Sequence, residues 1–100
     1  MLSVRSIETK EGLIVAICDI ELLGHKFSEG KILLDLEKYA SFYKGSQMSE
    51  SSEHLEEIIK RAKSINAVGE RTLSVLNQLG YDTSSEKRIS GVPHVQIYRF

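Results

Sequence analysis

Apolar and polar positions follow two rhythms along this chain, one of period two and one near three and a half. Residues 2–8 (LSVRSIE) carry a weak strand pattern, and 13–18 (LIVAIC) form an unbroken apolar run between Gly12 and Asp19. A β-branched run of that length suits a strand buried on both faces. Lys10, Glu11 and Gly12 mark a short turn between them, so the pattern predicts a β-hairpin. Asp19 is then placed to cap one helical turn, with Leu22 and Leu23 inward and Gly24 ending it. Gly30 introduces a third strand, KILLDL. In EKYASFYKGSQ, the aromatics Tyr39, Phe42 and Tyr43 read as a short turn packed on the sheet and closed by Gly45.

The rhythm then lengthens. Leu55, Ile58, Ile59, Ala62 and Ile65 recur at helical spacing. Ser49 is a good N-cap, and Glu50 and Glu53 suit the positive end of the helix dipole. Glu56 with Lys60, and Glu57 with Arg61, stand four apart in the favourable orientation. A second stretch, VGERTLSVLNQLG, sets Val68, Thr72, Leu73, Leu76 and Leu79 on one side, with Gly80 as the stop. Between the two lies INAVGE. Asn66 suits a cap and Gly69 is a weak helix former, which predicts a break or bend rather than one long helix. YDTSSEK follows as a loop, with Thr83 and Glu86 at capping-box spacing for one short turn.

The chain closes on ISGVPHVQIYRF. Pro93 restricts Val92 to an extended conformation and removes a donor, so the strand proper is expected to begin near His94, with Gly91 supplying the turn into it. Val95 and Ile97 then point one way, and His94, Gln96, Tyr98 and Phe100 the other. The first pair is core. The second row suits a stacking and hydrogen-bonding platform of the kind that takes single-stranded RNA. Aromatic residues on strands more often pack, however, so the expectation is a less apolar face covered by a loop, with His94 bonded to backbone. Strands first and helices after define an α+β domain: a mostly antiparallel sheet of the N-terminal hairpin, the third strand and the C-terminal strand, with two helices on one face.

Composition narrows the functional classes. One hundred residues make a single domain, 1–100, with 41% hydrophobic and 27% charged residues. A formal net charge of −1 excludes a globally basic surface, so any nucleic-acid contact must come from a local patch. Cys18 is the only cysteine, which rules out an intramolecular disulfide and fits a cytoplasmic protein. The charged N-terminal stretch does not read as a signal peptide, and no apolar run is long enough for a membrane span. His25, His54 and His94 are scattered, without CxxC or HxxxH spacing, so no metal is expected. No Walker loop or GxGxxG follows a strand, and no cofactor is expected.

Three clusters of side chains remain. Cys18, Asp19, Glu29 or Glu70 joined to His94 would make a small enzyme, although a cysteine ending an apolar strand is more often inert. Lys60, Arg61 and Lys63 offer a phosphate patch, set against acidic partners one turn earlier. Asn66, Gly69, Glu70 and Arg71 place polar groups at a helix start, where free amides favour anions. With Gly91, Pro93, His94 and Gln96 they are the candidate ligand- or nucleic-acid-binding residues, expected to converge on one surface with Arg71 as the phosphate or carboxylate contact.

CDIELLGHKFSEGK, FYKG, INAVGE and GVPHVQ stand in an order and spacing that resembles the archaeal family called domain of unknown function 424. The resemblance covers nearly the whole chain. It implies a short archaeal protein with no established activity, from a family whose genes often stand near translation and ribosome-assembly genes. The implied role is a binding module associated with RNA or the ribosome. A protein–protein adaptor is the alternative, marked by an exposed apolar patch or sheet edge.

Overall fold

The computed structural model describes residues 1–99. Its first element is the expected hairpin: β1 (Leu2–Thr9) and β2 (Gly12–Asp19) pair antiparallel from Leu2↔Asp19 to Thr9↔Gly12. Residues 15–19 of β2 are buried, because β2 has a strand on each side and packing on both faces. A 3-10 turn at Ile20–Leu22 follows, and Gly24 closes it with φ +86°.

The third strand departs from expectation. Ile32–Asp35 (β4) does not join the main sheet; it pairs with Lys26–Glu29 (β3) in a separate two-stranded hairpin. That hairpin and the short helix α1 (Ala40–Tyr43) form a lid over half of one sheet face. Leu34, Leu36, Phe42 and Tyr43 there meet Ala16, Cys18 and Val68. The aromatic turn is therefore packed as expected. Gly45 is needed because a Cβ there would lie 2.1 Å from the Val4 carbonyl oxygen.

β5 (Ser46–Met48) adds to the outer edge of β1, and α2 spans Glu53–Arg61. Its N-cap is Ser52, whose hydroxyl accepts the Leu55 amide at 3.3 Å, rather than Ser49, which serves the preceding turn. Of the two predicted side-chain pairs, Glu56–Lys60 forms at 3.1 Å, and Glu57–Arg61 does not form among the described residues.

INAVGE holds the main correction. The segment is a strand, β6 (Ser64–Val68), lying parallel to β2 in the middle of the sheet. Ile65 and Ala67 face the helices, while Asn66 and Val68 face away, so Asn66 is not a cap and Ile65 is not helical. α3 starts only at Glu70 and runs to Gln78. β7 (Lys87–Ile89) and β8 (Val92–Tyr98) complete a six-stranded sheet in the order β5-β1-β2-β6-β8-β7, with β2–β6 its single parallel pair among the described residues. α2 and α3 cover one face over Val4, Val15, Ile17, Ile65 and Val95. The domain is α+β and mostly antiparallel, as the alternation predicts.

β8 begins two residues earlier than expected, with Val92 and Pro93 already paired to Ile89 and Arg88. An antiparallel residue turns its N–H and C=O toward the same neighbour. On that side Pro93 meets Gly69, whose amide donates to the Pro93 carbonyl at 2.9 Å. The Gly69 carbonyl is already taken by Leu73 N in the first turn of α3. A donor at position 93 would find no acceptor there, which is why proline fits inside a strand with neighbours on both sides.

Candidate functional site

The candidate residues fall into two groups on opposite faces of the sheet. The first sits where β2 and β6 end side by side. Asp19, Glu21, Gly69, Glu70, Arg71 and Pro93 border a 250 Å³ cleft at this end, with Gly91 at its rim. The buried Asp19 carboxylate accepts the Arg71 amide at 3.1 Å, the Thr72 amide at 2.8 Å and the Thr72 hydroxyl at 2.7 Å. It therefore caps α3 from fifty residues away, and not the 3-10 turn beside it, where its side chain makes no bond.

The free amides expected to draw an anion to this helix start are thus already occupied by the protein's own carboxylate. Gly69 is the enabling residue. A Cβ there would stand 2.2 Å from the Asp19 Cγ, and its φ of +111° lies in the left-handed region. The remaining charges pair locally. Arg71 binds Glu21, which raises the Arg71 pKa and holds the Glu21 carboxyl below its usual range; Arg88 binds Glu70, which raises the Arg88 pKa.

Asn66, His94 and Gln96 belong to the second group, on the face turned away from α3. The structure does not bring them onto one surface with Arg71. The β6–β8 register sets Asn66 opposite Gln96, Val68 opposite His94 and Ser64 opposite Tyr98. Gln96 Nε2 donates to Asn66 Oδ1 at 2.9 Å, and the Tyr98 hydroxyl donates to Gln96 Oε1 at 3.2 Å. Among the described residues the loop before β7 reaches this row only at its edge, where Ser85 borders the hollow beside His94. Gln96 is exposed, Tyr98 is 62% exposed, and His94 is half-buried with no side-chain hydrogen bond among the described residues. Burial, and then the neighbouring Lys87 charge, lower the His94 pKa. The lid that was expected here covers the other half of the face, above Cys18 and Val68. Phe100, the last residue of the predicted row, lies outside the described residues.

Cys18 and His94 are on the same face but in strands separated by β6, with Val68 between them. Two strand spacings are about 10 Å, too far for a nucleophile–base contact. Burial pushes the Cys18 thiol up to about 12, with Asp19 and Glu21 adding to the effect. Its Sγ donates to the Asp19 carbonyl at 3.2 Å. Glu29 accepts the Ser90 amide and ties the β3–β4 hairpin to the turn before β8. Among the described residues no group of three His, Cys, Asp or Glu side chains is placed to hold a metal, and no helix is long and apolar enough to cross a membrane.

Sequence reasoning missed Lys87, Ser64 and Ser85 at this face. They enter only through the register and the hollow beside His94, which neither spacing nor periodicity reveals.

Fold and site together define a small α+β domain with a self-capped helix junction and one half-open sheet face. The chain belongs to the family described as protein of unknown function, DUF424, whose profile matches residues 7–100. It is similar to the protein whose structure is described as "Crystal structure of an uncharacterized conserved protein from Methanopyrus kandleri". The TM-score is 0.80 at 27% identity, over 97% of this chain and 90% of that one. Comparison with curated proteins gives no match.

Proposed function

We propose that this chain is a binding module for single-stranded RNA, acting in the cytoplasm of an archaeon in translation or ribosome assembly. The observation that carries the reading is the open half-face of β6 and β8. Tyr98 presents a ring on which a base can stack, and every base has a π-face to offer it. Beside it, the Asn66–Gln96 amide pair and His94 supply donors and acceptors at the spacing of adjacent strands, suited to base edges. No carboxylate occupies a strand position on this half-face, where the residues are Ser64, Asn66, His94, Gln96, Tyr98 and Lys87. On a chain of net charge −1, that is a local surface without anion repulsion. The family resemblance makes ribosomal RNA the first choice of ligand.

Filter binding with archaeal ribosomal RNA and with an oligouridylate tests the reading. Stacking on an aromatic side chain contributes about 1–3 kcal/mol per base, so Tyr98→Ala should weaken binding about 5- to 150-fold. Gln96→Ala and His94→Ala should weaken it less. Equal affinity for wild type and Tyr98→Ala, or no binding by either, overturns the proposal. The adaptor reading would then lead, since Ile32 and Leu33 on β4 are 59% and 57% exposed.

A further inference from the structure

The geometry points to a second part of the same site: a cationic shelf at the C-terminal end of α2 that takes the phosphates of the strand whose base stacks on Tyr98. This inference rests on the function proposed above. Three hollows run together across this end of the molecule. The first, 240 Å³, lies between Lys87, His94, Gln96 and Tyr98. The second, 300 Å³, is bordered by Tyr98, Ser64, Ile14 and Lys63. The third, 360 Å³, is bordered by Gly12, Lys60, Arg61, Lys63 and Arg99. Tyr98 is shared by the first two, and Gly12 and Lys63 by the last two, so a chain leaving the stacking face passes over Ile14 onto the cations.

The shelf is assembled from three separate segments and held by backbone. Lys63 N donates to the Leu13 carbonyl at 2.7 Å, and Arg99 N donates to the Lys63 carbonyl at 2.8 Å. A Cβ on Gly12 would stand 2.8 Å from the Lys63 Cβ, so glycine is what lets the turn lie this close. The C-terminal end of a helix is electronegative and would repel a phosphate. Arg99 removes that obstacle, because its Nη1 donates to the Lys60 carbonyl at 2.7 Å and the Ala62 carbonyl at 3.4 Å. Arg61 is exposed and has no ion-pair partner among the described residues. The opposing carboxylates are few: Glu56 holds Lys60 at 3.1 Å, Glu57 stands one turn back, and Glu11 borders the middle hollow. Among the described residues the shelf sets four cations, Lys60, Arg61, Lys63 and Arg99, against these three carboxylates.

A strand that sets about three phosphates on these cations loses affinity with salt at a log–log slope of about −2, since single strands contribute about −0.7 per phosphate. The test titrates an oligouridylate and an abasic oligomer of the same length across a salt series. It uses wild type, Tyr98→Ala, Arg61→Gln and the double variant Lys60→Gln/Arg61→Gln, with melting curves to establish that each is folded. Arg61→Gln should make the slope shallower by about 0.7 on both oligomers. Tyr98→Ala should weaken only the oligouridylate and leave its slope unchanged. Tyr98-dependent binding with the same slope in both Arg61 variants overturns the shelf and leaves the stacking face standing. Failure of wild type to bind either oligomer removes both. Arg61-dependent binding to phosphatidylglycerol vesicles, without dependence on either oligomer, assigns the shelf to a lipid surface and overturns it as well.

Discussion

Asp19 and Gly69 depend on each other. The carboxylate satisfies two backbone amides and one hydroxyl at the start of α3, and it fits only because residue 69 has no Cβ. Asp19→Ala would leave buried donors without acceptors, which costs about 1–3 kcal/mol for such a group. Gly69→Ala meets both the Asp19 carboxylate and an unfavourable φ, and should cost more than either effect alone. Because the two substitutions act on the same contact, they should not add: the double variant is expected to melt above the sum of the single losses. Thermal unfolding of the three variants measures this, and strict additivity would show that the cap is not what requires the glycine. The motif NAVGE thus has a structural account. Its glycine admits a cap, and its glutamate pairs with Arg88.

Among the elements, β8 is the one on which most others lean. It pairs β6 on one side and β7 on the other, and Val95 on its inner face is 2% exposed. Removing residues 95–100 takes away Val95 and Ile97, at about 1.5–3 kcal/mol each, along with the ladder to β6. Against a total stability of about 5–15 kcal/mol, the truncated chain should not fold, and a cooperative melting transition at the unchanged temperature would refute that. The alternation of Val95 and Ile97 against His94, Gln96 and Tyr98 made this strand readable in advance. α2 and α3 are readable for the same reason, since each carries its period over enough residues, and β2 by its unbroken apolar run between Gly12 and Asp19. β6 was not. Its five residues hold only three apolar ones, Ile65, Ala67 and Val68, Asn66 mimics a cap, and Ile65 falls three after Ala62, continuing a helical pattern by coincidence. The β3–β4 hairpin was misread in part, because local pattern fixes a strand but not the sheet it joins. The candidate site split for a related reason: which face Asn66 and Arg71 occupy depends on the β2–β6 pairing, which is tertiary.

For the whole molecule, acid should act in two stages. The His94 pKa is lowered by burial and by Lys87, so the unfolded chain takes up a proton there that the native state resists. Stability therefore falls as pH drops through the ordinary histidine range, near 6.5. Glu21, Glu50 and Asp82, held low by Arg71, the N-terminal amine and Ser84 respectively, contribute stability that is lost only at lower pH, below about 4.5. Urea midpoints at about pH 7.5 and about pH 5.5 should differ for wild type and converge in His94→Gln, and an unchanged difference in the variant would place the effect elsewhere.

The parallel pairing of β2 with β6 has a mechanical consequence. Because β1–β2 and β6–β8 are antiparallel and β2–β6 is parallel, β1 and β8 run in the same direction. Leu2 starts β1 at the Asp19 end, and Tyr98 finishes β8 at the Ser64 end. Tension applied through these two strands pulls along them from opposite ends, so the three ladders between are loaded in shear. Their hydrogen bonds share the force and must give way together, whereas a sheet gripped from one end would unzip a pair at a time.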